Sequence, residues 1–216
     1  MSMGTRRSVL ALWIALLFAS SILGFMARGA GPLPGDLALT RWLQEWLPPE
    51  GLIESSLAYV GRLVWLLPIG FLAVALLRRR WFDALFVLAA AGTGLLLGDS
   101  LKLLVARARP SVELVRVYEP SGGYGFPSTT ALLSVIMLGT VCYLAGRERA
   151  RGPLVTVVVC VSLLLVLAVG ISRVWVGEHW ATDILGGWLI GGAWLLTLVA
   201  VYRWWSSRET RSRVPR

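Results

Sequence analysis

Apolar residues gather along this chain in six blocks, bounded by arginines, glycines, prolines or short polar stretches, at 8–26, 57–77, 82–101, 128–145, 154–171 and 183–202. Each is close to the roughly 20 residues an α-helix needs to cross about 30 Å of hydrocarbon. Inside a bilayer no water satisfies the peptide groups, so such blocks fold as helices, which bond internally. The pattern predicts an all-α integral membrane protein, with residues 1–216 forming a single membrane domain of six transmembrane helices. The first two blocks are joined by an outer loop, 27–56, in which Leu37, Leu39, Trp42, Leu43, Trp46 and Leu47 recur at roughly helical spacing between Asp36 and Leu47. That segment is either a short helix lying in the interface, with Trp42 and Trp46 at headgroup depth, or an ordinary packed connection.

Composition removes the soluble alternatives. Of 216 residues 56% are hydrophobic and only 15% charged, and the mean hydropathy is +0.71, far from the balance of a water-soluble domain. A net charge of +9 raises the question of nucleic acid. The basic residues, however, stand in short clusters between apolar blocks, where they set topology, and no nucleic-acid partner is expected. Arg6 and Arg7 precede the first block, Arg78 to Arg80 follow the second, Arg147, Arg149 and Arg151 follow the fourth, and Arg203 opens the basic tail 203–216. By the positive-inside rule both termini are cytoplasmic and the other loops face outward. The tail is expected to be solvated and in reach of anionic lipid. The first block has a basic start but no small-x-small cleavage site, which fits an uncleaved anchor. Cys142 and Cys160 fall inside apolar blocks, where packing is expected rather than pairing.

Three clusters at the outward ends carry chemistry. Lys102 and Arg109 are seven apart, two helical turns, and so face one way, with Arg107 off that line and Pro110 stopping the helix. A guanidinium and an ammonium aimed at one point make a phosphate clamp. A glycine-rich loop, Ser121-Gly122-Gly123-Tyr124-Gly125-Phe126, then leads to Pro127 and Ser128, where a helix N-terminus with free N–H groups forms an anion site. Last come Ser172, Arg173, His179 and Asp183. His179 is the sole histidine of the chain, and Asp183, four residues on, is expected to share its helix face and accept the proton of one ring nitrogen. The other nitrogen is then a nucleophile suited to phosphorus. Together the clusters give three cations, a helix N-terminus and an oriented imidazole, the cradle a transferring phosphoryl group needs. No carboxylate cluster supports a metal site, so no cofactor is expected.

In these motifs the chain resembles the type 2 phosphatidic acid phosphatase (PAP2) family, the membrane relatives of vanadium haloperoxidases. The family pattern K-x6-RP, PSGH and SR-x5-H-x3-D is met by Lys102-x6-Arg109-Pro110, then Pro127-Ser128-Thr129-Thr130, then Ser172-Arg173-x5-His179-x3-Asp183. The resemblance implies a six-helix bundle of the PAP2/haloperoxidase type. It also implies phosphate binding by Lys102, Arg109 and Arg173, assisted by Ser128, Thr129 and nearby amides, and a phosphohistidine on His179 oriented by Asp183. It further implies hydrolysis without a metal of a lipid monophosphate or diphosphate, undecaprenyl diphosphate being a frequent bacterial substrate, in the inner membrane with the site facing the periplasm or cell exterior.

The second motif departs from the family. Thr129 stands in place of its glycine and Thr130 in place of its histidine, which protonates the leaving oxygen. Threonine is no acid near neutral pH, and loss of a general acid lowers rates by about 10²- to 10⁴-fold. A monoester expels an alkoxide whose conjugate acid has a pKa comparable to water's, about 16. A diphosphate expels a phosphate monoester with a second pKa of roughly 6, which departs unprotonated if cations stabilise it. The substitution therefore biases expectation toward lipid diphosphates. The alternatives are a lipid-phosphate-binding protein without turnover, and a phosphotransferase that shares the covalent step.

Overall fold

The computed structural model of the chain describes residues 3–29, 31–47, 59, 65–118, 120–147 and 152–212. Every regular element among them is helical: α1 (Met3–Ala27), α2 (Asp36–Trp46), α3 (Leu66–Leu77), α4 (Trp81–Val105), α5 (Thr129–Arg147), α6 (Pro153–Trp175) and α7 (Ala181–Ser212). Five of these, α1 and α4 to α7, are long and apolar enough to cross a membrane. The expected block 57–77 lies partly outside the described residues, and its described portion contains α3, shorter than a span.

The bundle is organised around α5, the most enclosed of the spans, whose Leu132, Leu133, Ile136, Met137 and Leu144 meet Phe86, Val87 and Ala90 of α4 and Tyr202 of α7. Lipid tails are as apolar as leucine, so close backbone approach rather than apolar burial holds membrane helices together, and small residues permit it. On α7, a Cβ at Gly187 would stand 2.7 Å from the Ser128 carbonyl oxygen and one at Gly191 2.7 Å from that of Leu132. These glycines, four apart, let α7 lie directly against the first turns of α5. On α4, a Cβ at Gly98 would come within 3.0 Å of the Thr129 side chain. The starts of α5 and α7 and the end of α4 are thereby drawn together. At the opposite end buried Asp83 pairs with Arg80 at 2.6 Å and Arg147 at 3.4 Å and accepts a hydrogen bond from Tyr202, tying α4, α5 and α7.

The segment Asp36–Trp46 is a helix that both packs and exposes an aromatic face. Leu43 and Gln44 are buried, Gln44 Nε2 donates to the carbonyls of Arg116 and Trp175 at 2.8 Å each, and Trp42 and Trp46 stack outward with centroids 5.9 Å apart. Both cysteines are free, but Cys160 is exposed on α6 rather than packed.

Candidate active site

The turn between α6 and α7 is closed by hydrogen bonds that follow from its sequence. Gly177 takes φ +72°, its N–H bonds the Val174 carbonyl at 3.1 Å, and the Glu178 N–H bonds that of Arg173 at 3.2 Å. This is the Schellman arrangement, for which a residue with no side chain is favoured. A Cβ at Gly177 would stand 2.2 Å from the Arg116 carbonyl oxygen. Gly177→Ala is therefore expected to destabilise the fold by about 1–3 kcal/mol. Thermal unfolding in detergent checks this, and a midpoint equal to that of the unsubstituted protein would contradict it.

The turn carries His179 back over Arg173, outside α7, which starts at Ala181. The expected shared helix face is thus replaced by a capping geometry. Asp183 sits in the first turn of α7 and its Oδ2 accepts the Trp180 N–H at 2.9 Å, as the third residue of a capping box does. The same oxygen lies 3.5 Å from His179 Nδ1, too long for the expected hydrogen bond, and Nδ1 has no hydrogen-bond partner among the described residues. On the other edge of the ring, Nε2 lies 3.3 Å from Arg109 Nη1. A guanidinium only donates, so this contact is satisfied when Nε2 carries the lone pair and Nδ1 the proton that faces Asp183.

Arg109 and Arg173 meet at one carboxylate, Glu178, which belongs to none of the sequence motifs. Glu178 Oε2 accepts from Arg173 Nη1 at 2.8 Å, while Oε1 lies 3.5 Å from Arg109 Nη1 and 3.9 Å from His179 Nε2 and accepts from Ser121 Oγ at 3.0 Å. Burial by itself would raise this carboxyl, but the His179 ring in its protonated form and the Arg173 guanidinium outweigh it and hold Glu178 below the ordinary carboxylate range. Arg109 also donates to the Glu178 carbonyl at 2.9 Å. Its own pKa is lowered, chiefly by burial.

Lys102, on the last turn of α4, is half-buried with no hydrogen-bond or ion-pair partner among the described residues, and its charge is within range of Arg109, Glu178 and Asp183. Ser128 is fully enclosed, and its Oγ accepts the Ala131 N–H at 3.3 Å, so it caps α5. Thr129 lies against Gly98, with its Oγ1 unpartnered among the described residues, and Thr130 is half-buried on the same turn.

A second residue set aside by the motif spacing proves central. Arg107 follows the left-handed Ala106 that ends α4, and its side chain is fully buried. Its Nη1 donates to Asp183 Oδ1 at 2.6 Å and Thr182 Oγ1 at 2.7 Å, its Nη2 to Asp36 Oδ2 at 2.6 Å and the Gly31 carbonyl at 3.0 Å, and its Nε to Gly31 at 3.2 Å. Asp36 Oδ1 in turn accepts the Thr182 N–H at 2.9 Å. Asp183 is thus held by Arg107 and the Trp180 amide, and α2 is pinned to the start of α7. In the sequence Arg107 is one of three basic residues in the run from Lys102 to Pro110, and nothing in that spacing singles it out.

Comparison with known proteins gives the family and the fold. The family model described as the PAP2 superfamily matches residues 80–207. Phosphatidylglycerophosphatase B of Bacillus subtilis is 29% identical over 154 residues, 68% of this chain and 71% of that protein. An undecaprenyl-diphosphatase of Sulfolobus acidocaldarius is 28% identical over 149 residues, 68% of this chain and 66% of that protein. Among solved structures, a transmembrane PAP2-type phosphatidylglycerolphosphate phosphatase from Bacillus subtilis superposes with a TM-score of 0.74 at 23% identity, covering 91% of this chain and 96% of the other. LpxE of Aquifex aeolicus gives 0.62 at 18% identity, covering 78% and 96%.

Proposed function

The chain belongs to the PAP2 superfamily, and from that premise we propose that it is a membrane lipid phosphatase that hydrolyses an isoprenyl diphosphate such as undecaprenyl diphosphate through a phosphohistidine on His179. The observation that carries this reading is the environment of His179 Nε2, its lone pair turned toward Arg109 and an anion, the Glu178 carboxylate, bridging Arg109 and Arg173 beside it. A site that holds a carboxylate between two guanidiniums can hold a phosphoryl group.

In the reaction, Nε2 bonds to the terminal phosphorus as the bridging P–O bond breaks, and the electron pair leaves with the lipid monophosphate. Lys102, Arg109 and Arg173 balance the charge spread over the equatorial oxygens. Thr129 and the free amides at the start of α5 assist, and Asp183 favours the cationic ring. Water then attacks phosphorus, which restores His179 and releases inorganic phosphate. Thr130 supplies no proton, which a phosphate leaving group does not require. For the lipid tail, a groove of about 540 Å³ lies between α1, α4 and α7, lined by Leu101, Leu104, Val105, Phe126 and Trp194. Arg80 and Arg147 lie at the end of the bundle away from His179, which by the positive-inside rule supports cytoplasmic termini and an outward-facing site.

Phosphate release from purified protein is expected to be at least about tenfold faster from an isoprenyl diphosphate than from phosphatidate. Thr130→His should raise the phosphatidate rate selectively. Equal rates on the two lipids would rule out the preference for diphosphates. The second reading, a binder without turnover, draws on Thr130, and it would be upheld by a protein that binds the lipid yet never carries phosphate on His179.

A further inference from the structure

We infer that the Glu178 carboxylate holds the place of a phosphoryl group in the Arg109–Arg173 cradle, and that it must be displaced for phosphate to bind, so that it sets how tightly this site holds substrate and product. The inference deepens the phosphatase reading and rests on it.

Reacting atoms in a productive complex stand about 3–3.5 Å apart, and Glu178 Oε1 is already 3.9 Å from His179 Nε2. A phosphorus in line with that nitrogen would bring its terminal oxygens onto the carboxylate. Both anions seek the same donors, the Arg173 Nη1 at 2.8 Å and the Arg109 Nη1 at 3.5 Å. They cannot share them, because like charges at such separations repel strongly in a site with little water. The nucleophile is masked by the same contacts, since Arg109 Nη1 also lies 3.3 Å from Nε2.

The means of displacement is local. The backbone of Glu178 is fixed by its N–H bond to the Arg173 carbonyl and by the Arg109 bond to its own carbonyl, so the side chain can rotate without moving His179. That side chain retains 14% of its accessible surface, and its neighbour Ser121 is exposed, which gives an exit toward solvent. Rotation also breaks the Ser121 hydrogen bond that ties the glycine-rich loop to the site. A lipid substrate gains tail contacts that offset the displacement, whereas inorganic phosphate has none. The returning carboxylate therefore speeds phosphate departure, a step that often limits turnover in enzymes.

Titration calorimetry with inorganic phosphate on the full chain in detergent tests this without requiring turnover. Glu178→Gln and Glu178→Ala are expected to bind phosphate at least about tenfold more tightly than the unsubstituted protein, the worth of hydrogen bonds to a charged group. Tighter binding in either variant supports the inference. Unchanged or weaker binding in both overturns it, since the carboxylate would then be organising the arginines instead of competing for them. Labelling of His179 from a radioactive lipid diphosphate is read separately. Its failure would end the phosphatase reading while the calorimetric result still decides whether Glu178 competes with phosphate.

Discussion

A His179→Ala variant is expected to lose phosphate release by about four to six orders of magnitude, the scale on which removal of a catalytic nucleophile acts, and to take up no covalent phosphate. The expectation follows from the position of Nε2, which lies 3.3 Å from Arg109 beside the carboxylate that bridges both arginines. The measurement is lipid-diphosphate turnover with parallel labelling of the intact protein. Alanine at this position removes one buried ring, with side-chain exposure of only 2%, so folding must be checked beside activity. A folded variant that retained a tenth of the rate would remove His179 from the mechanism.

The second large effect is structural and concerns Arg107. Replacing it by methionine keeps much of the volume but strips the guanidinium from Asp36 and Asp183, all three side chains having no exposure. Breaking a buried ion network by deleting one partner typically destabilises by about 3–5 kcal/mol, because the remaining charges stay enclosed without compensation. Arg107→Met is therefore expected to unfold at markedly lower temperature and to lose activity with it, since Asp183 faces His179 Nδ1. Adding Asp36→Asn to Arg107→Met removes one of the two orphaned charges and should recover part of the loss, a coupling that a double-mutant cycle in detergent can read. A melting temperature for Arg107→Met within about 2 °C of the unsubstituted protein would mean that the network contributes little.

Much of this architecture was legible in the residues. Hydrophobic blocks of span length specify helices in lipid, and α1, α4, α5, α6 and α7 follow from them, because the cost of leaving peptide groups unsatisfied acts locally along each block. The family was legible too, since Lys102, Arg109, Arg173, His179 and Asp183 stand at fixed spacings along the chain. The four-residue spacing predicts that His179 and Asp183 share a helix face, yet His179 lies before α7 and the Trp180 amide bonds the carboxylate oxygen nearest the imidazole.

Beyond that, the partners of the charges were decided in three dimensions. Arg107 bonds Asp36 and Asp183, 71 and 76 residues away, and nothing in its local pattern distinguishes it from an arginine that snorkels to a headgroup. Glu178 reads as one more polar residue in a turn until that turn folds it between two guanidiniums. Periodicity reports which face of a helix is apolar. Which helix ends meet depends on backbone approach at Gly98, Gly187 and Gly191. Electrostatic partnership falls off so steeply with distance and dielectric that only that meeting determines whether Glu178 is a bystander or the anion in the cradle.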